Sequence, residues 1–309
     1  MLRPDILERL LKKAQEKEHH LRCLLLCQVV DDFCPSPPKH KGPGRPVTFS
    51  DNMVMKMDLL GRLSSIKGET ELLRHLERHY DWLFPLLPTQ SWLWRRLQQV
   101  APKMEMFRRR LRHELGVDME DTRILDTFPM PVFKTWRPGR GNGFDLADWG
   151  RCASKKLTYF GFKLMLSVTP GGIPDMYDLC SARPHDVNTL EELVEWLRDG
   201  LALGDKGFIS QEKQIKLLEN QGVYLLTYKK SNQKKQNTPL EQWFLGQCRQ
   251  RIETVGSQLV DLLHVEDLGA KTDLGLAKRL IGAMTAFTLG IYMNFLLGRK
   301  LMAVKALFA

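Results

Sequence analysis

Near residue 118 the apolar residues of this chain change their spacing, and that change restricts it to a fold containing both helices and a sheet. Before that point the apolar positions recur at helical intervals, over Ile6 to Val30, from the capping Ser50 to about Leu63, from Glu69 to Trp82 and from Ser91 to Leu115. The proline-rich run CPSPPKHKGPGRPV, Cys34 to Val47, separates the first two helices, because prolines at 35, 37, 38, 43 and 46 exclude a continuous helix. Beyond residue 118 the runs are shorter and richer in aromatic and branched residues. Thr122 to Val132, Leu157 to Val168 and Ile173 to Leu179 read as strands, with Pro170-Gly171-Gly172 as the hairpin turn between the last two. After Asn188 the segment TLEELVEWL predicts an amphipathic helix. A strand at Leu201 to Leu203, a helix at Glu212 to Asn220 and a strand at Val223 to Tyr228 follow, then further helices. The order predicts an α/β fold in which helices flank a mixed sheet. A helical domain over 1–118 precedes it, and the sheet domain occupies 119–309.

A length of 309 residues with 43% hydrophobic content supports a full α/β core and excludes a basic disordered tail. The formal charge of +10, from 46 Lys and Arg against 36 Asp and Glu, favours a polyanionic partner. The six cysteines are scattered and form no disulfide framework; Cys23 and Cys27 lack the second pair that a zinc site requires. The first twenty residues are too charged for a secretory signal. From Leu280 to Gly298 no residue is charged, which reaches the lower length of a membrane span. Thr285, Thr288, Asn294 and three glycines dilute that stretch, so a core helix buried on nearly all sides fits better than a span.

Three carboxylates stand out. Asp126 interrupts the strand-like RILDTFPMPV, Asp205 follows the apolar LALG and precedes Gly207, and Glu253 lies among Ile252, Val255 and Leu259. Charge beside apolar runs is costly unless a cation or hydrogen bonds compensate it. Taken singly each has an ordinary reading: a strand-end charge, a turn residue, a surface ion pair. Brought together they would suit Mg²⁺ or Mn²⁺, which take hard oxygen ligands, and two such ions serve in-line phosphoryl displacement. His185, between Pro184 and Asp186, suits either a substrate contact or simple loop packing.

Basic residues cluster as well. Lys229, Lys230, Lys234 and Lys235 fall in YKKSNQKKQN, Arg249 and Arg251 precede Glu253, and Lys155, Lys156 and Lys163 lie in the first hairpin near Trp136 and Trp149. These positions suit a phosphate track with base stacking, against the plainer reading of a solvated basic face. Arg249 sits one helical turn before Glu253, where it either orients the carboxylate or holds a phosphate. Arg108, Arg109, Arg110 and Arg112 suggest a helix that docks on duplex DNA.

In order, ILDTFPMPV, ASKKLTYFGFKLMLSVTPGGIP, ARPHDVNTLEEL, LGDKGFIS, LLTYKKSNQKK and QRIETVGSQL resemble a DDE transposase of bacterial insertion sequences, over about residues 120 to 295. The resemblance implies a ribonuclease H-like catalytic domain in which Asp126, Asp205 and Glu253 bind divalent metal, Mg²⁺ or Mn²⁺ and two ions per site. It further implies cleavage at element ends, attack of a freed 3′-hydroxyl on target DNA, and double-stranded DNA as partner. A homodimer or higher assembly on DNA, a cytoplasmic, nucleoid-associated location and no membrane association are expected with it. Arg249 matches the arginine that the family places four residues before the glutamate. Gly256 stands where an aromatic is common and Val260 where a lysine or arginine is common. Those departures leave two alternatives: a nuclease of the same fold without strand transfer, and a DNA-binding relative that has lost catalysis.

Overall fold

The structure is a computed structural model that describes residues 4–35, 48–133, 143–152, 156–229, 231, 233 and 236–308. Four helices come first: α1 (Pro4–Phe33), α2 (Asp51–Leu63), α3 (Glu69–His79) and α4 (Gln90–Glu114). The side chains of Ser50 and Thr89 accept the backbone N–H of Met53 and Trp92, which caps α2 and α4 with the short oxygen side chains that helix N-termini favour. α3 ends at His79, three residues earlier than its sequence pattern suggests, because Tyr80 leaves helical geometry and buries its ring.

The sheet comprises β1 (Thr122–Phe133), β2 (Asp148–Cys152), β3 (Leu157–Val168), β4 (Pro174–Ser181), β5 (Leu201–Gly204) and β6 (Tyr224–Thr227). Its order is β2-β3-β1-β5-β6, with β4 also paired to β3. β1, β3 and β4 run antiparallel in sequence, whereas β5 and β6 join parallel to β1. The β3–β4 turn closes with Thr169 and Ile173 backbone groups bonded together, and Gly172 takes φ +86°, a conformation glycine reaches without a Cβ clash. β2 was not legible as a strand. It is a short stretch of alternately half-exposed residues, which carries no apolar alternation.

Of the predicted TLEELVEWL helix only α5 (Leu190–Leu193) forms, after a 3₁₀ turn at Asp186–Thr189. Leu190, Leu193, Val194 and Leu197 still bury a helically spaced stripe. The carbonyls of Glu195 and Leu197 instead accept the Arg198 guanidinium, and Asp199 turns at φ +46° into β5. Past β5 come α6 (Gln211–Gln221), β6, α7 (Pro239–Asp261) and α8 (Asp273–Leu296). Thr238 and Glu241 form a reciprocal capping box at the start of α7, with Pro239 in the first turn.

Alternation along β1 splits the apolar side chains between two faces. Leu125 joins a smaller cluster with Met165, Leu193, Phe208 and Leu217 under α5 and α6. Ile124 and Met130 join the larger cluster, which runs through α7 and α8 into α1, α2 and α4. α8 is long and apolar enough to cross a membrane, yet most of it is buried in this protein, packed on α2 and α4. Helices from both sides of residue 118 therefore share one core. Arg123 and Asp175, both almost fully buried, form an ion pair that also takes in Arg112 and so ties α4 to β1 and β4.

Candidate active site

β1, β5 and α7 each deliver one carboxylate to a single cleft of ≈ 300 Å³. Asp126 projects from β1 on the face that also carries Ile124 and Phe128. Asp205 follows β5 directly, and Glu253 lies in the middle of α7. The cleft wall is otherwise mainly apolar, with Leu203, Phe128, Leu245, Ile252 and Tyr228. Low surrounding polarity raises the cost of ionising an acid here. Burial pushes the Asp126 carboxyl up to about 7, and the negative charges of Asp205 and Asp186 add to it. The Thr127 N–H, 2.8 Å from Oδ1, and the Arg249 charge act in the opposite direction.

Asp205 is held by its own turn: Oδ1 accepts the Gly207 N–H at 2.6 Å, at the start of a 3₁₀ turn over Lys206–Phe208. Glu253 accepts Arg249 Nε at 2.7 Å, and this pair stands well exposed at the mouth of the cleft. The guanidinium is held charged chiefly by that hydrogen bond.

Among the described residues no group of three or more His, Cys, Asp or Glu side chains is arranged to hold a metal ion. The donor chemistry suits a hard divalent cation, since Asp126 is a carboxylate whose ionisation a nearby cation would restore. The arrangement suits it only in part, because the Glu253 oxygen is committed to Arg249 rather than turned to the two aspartates.

Among the described residues the basic side chains do not form one group. Arg251 and Lys156 are exposed, and Lys229 is half-buried with its backbone N–H on Asn237. Lys163 is mostly buried, and its Nζ donates to Asp186 Oδ1 at 2.8 Å and to the Pro184 carbonyl at 2.6 Å. Lys155, Lys230, Lys234 and Lys235 lie outside the described residues, as do Trp136 and most of the proline-rich run. The arginines of α4 also divide. Arg108 is buried over the Tyr177 ring and bonded to Glu105, Arg112 is bonded to Asp175 and Asp118, and Arg109 remains mostly exposed. The helix cannot offer all four to DNA as the sequence suggested, since two of them hold the fold together.

At Gly256 the space a side chain would take is already filled. A methyl group there would stand 2.3 Å from the Phe128 ring, so an aromatic from β1 occupies the place next to α7. The sequence also gave no weight to Asp186, whose charge reaches Asp126. Its only signal was proximity to His185 in a loop.

Residues 118–271 match the family model described as "Transposase DDE domain". No curated protein and no solved structure matches the chain.

Proposed function

We propose, taking as premise a transposase DDE domain of the ribonuclease H-like superfamily over residues 118–271, that this protein cuts DNA phosphodiesters in the cleft between β1, β5 and α7. The observation that carries the reading is that Asp126, Asp205 and Glu253, from three separate elements inside the matched segment, line that one cleft. Asp126 and Asp205 would hold a divalent metal, and Glu253 would join them on release from Arg249. When bound, such an ion supplies Lewis-acid stabilisation of charge on the phosphate oxygens. The chain's own contribution is to place one carboxylate within a rigid strand and a second just past the end of its parallel neighbour, to set the first among apolar side chains, and to present Arg249 at the mouth to a phosphate. Glu253 and Arg249 then change partners together. Joining a freed 3′-hydroxyl to a second duplex would follow in an assembly that pairs two DNA ends.

A specific observation favours a second reading, a DNA-binding relative without catalysis: among the described residues the acidic side chains do not form a metal-holding group. One experiment separates the readings. The full chain is incubated with supercoiled plasmid, a short duplex with a free 3′-hydroxyl, and Mg²⁺ or Mn²⁺. Metal-dependent nicking that disappears in Asp126→Asn and Asp205→Asn supports the proposal, and oligonucleotide joined to plasmid adds strand transfer. Nicking without joining leaves a nuclease. Salt-sensitive binding with no cleavage in either metal sinks the catalytic reading.

A further inference from the structure

Behind Asp205, on the opposite face of the sheet from Asp126, lies an ion pair that is not part of the acidic set. Lys163 sits on β3 opposite Pro129 of β1 and Cys180 of β4, well inside the sheet. Its side chain is 14% exposed and that of Asp186 28%, so the pair is far better shielded than the Arg249–Glu253 pair. Lys163 Nζ bonds both Asp186 and the carbonyl of Pro184, which anchors the loop leading into the Asp186–Thr189 turn. That turn packs against the Lys206–Phe208 turn.

The contact between the two turns is tight at Gly207. A methyl group on Gly207 would stand 2.9 Å from Asp205 Oδ1 and 3.0 Å from Asp186 Oδ2. Both carboxylates thus crowd the one residue whose N–H orients Asp205. Gly207 does not need glycine for its backbone angles; it needs it for space. Phe208, fully buried next to Gly204, fixes the far end of the same turn. Two carboxylates drawn up to one glycine repel each other, and the Lys163 cation bonded to Asp186 offsets that repulsion.

We propose that Lys163 and Asp186 act as a unit that positions Asp205: Lys163 holds Asp186 against Gly207, and Gly207 in turn holds the Asp205 carboxylate towards the cleft. They are positioning residues, and the inference rests on the reading of Asp205 as a catalytic group. Lys163 accordingly serves the active site from behind the sheet and does not contact DNA.

The test uses the full chain with supercoiled plasmid and Mn²⁺, comparing Asp186→Asn, Lys163→Met, their double variant and Asp205→Asn. Expected is loss of nicking in Asp205→Asn. Each single positioning variant should turn over more slowly by a factor on the order of 10–10², with unchanged DNA affinity, since small misplacements of a reacting group carry such penalties. The double variant should be no slower than the worse single one, because the pair acts as one device. Lys163→Arg with Asp186 intact should keep most of the rate. A second measurement is Mn²⁺ binding to the DNA-free chain by EPR, expected to weaken severalfold in the double variant. That variant leaves no unpaired buried charge and is the arm to rely on if a single variant folds poorly. Wild-type turnover in the double variant, or a loss confined to DNA affinity, would overturn the proposal. So would unchanged Mn²⁺ affinity in the double variant. If Asp205→Asn nicks as well as wild type, the assignment of Asp205 itself is wrong and the positioning role falls with it.

Discussion

Asp126 illustrates how one buried carboxyl sets itself against stability. Its carboxyl is raised to about 7 by burial first and by Asp205 and Asp186 after it. The unfolded chain releases that proton near pH 4. Folding therefore takes up a proton between those values, and stability falls as pH rises through about 7. Asp126→Asn removes the penalty: in metal-free buffer it should stabilise the fold at about pH 8 by on the order of 1–3 kcal/mol, read as a higher melting temperature, with the gain closing towards pH 4. The same variant should lose metal-dependent nicking. A melting curve unchanged at pH 8 would show that Asp126 ionises freely. At this scale the three acids that line the cleft stood out in the sequence as charges beside apolar runs, but singly each had an ordinary reading and only the ordered family-like blocks joined them into one set. Lys163 and Asp186 did not stand out in this way. A lysine in a basic neighbourhood of sequence looks like surface, and only the pairing of β3 with β1 and β4 puts it inside.

Between β1 and α7 the Phe128 ring packs closely on Gly256. Gly256→Ala would push a methyl group into the ring, and overpacking of this kind costs about 1–3 kcal/mol. It would also lever Glu253, one turn away on the same helix, outward from the cleft. Chemical denaturation should show the loss, and Phe128→Leu in the same chain should recover part of it, since contacting residues do not add independently. Gly256 is thus a fitted position, with the Phe128 ring filling the space beside it. The start of α7 has its own test: Thr238→Ala removes one half of the capping box and should destabilise by about 1 kcal/mol. Most elements were legible because their apolar spacing is long enough to read. β2 was hidden because it carries no apolar alternation and forms only by pairing with β3, and the end of the shortened α5 because Arg198 bonds the carbonyls that follow it.

Across the whole molecule, α8 is the member that joins the two halves. Its buried face runs from Leu276 to Asn294 and meets α2 and α4 on one side and the sheet layer on the other. Gly282 and Gly290 allow Arg62 and Val304 to approach its backbone closely. Replacing Gly290 with leucine would drive a side chain into Val304 and Leu63. The expected outcome is loss of protease resistance in α2 and α4 as well as around α8, measured by limited digestion and mass spectrometry. Cleavage confined to α8 would mean that the amino-terminal helices fold without it. The uncharged stretch from Leu280 was correctly legible as a core helix, but nothing in the sequence said which core it would enter.

That partnership also sets a timetable. About 210 residues of synthesis separate the end of α2 from the start of α8, which at the usual pace of translation is roughly 10–40 s. α2 and α4 can pack on each other and on α1 and α3 during that interval, but the faces that α8 covers wait for it, so these helices are sealed late. Ribosome-bound chains stalled before Asp273 should therefore be cut readily in α2 and α4, and chains released after the helix has emerged should not. A nascent copy would in this way remain a chaperone client until its last long helix is delivered.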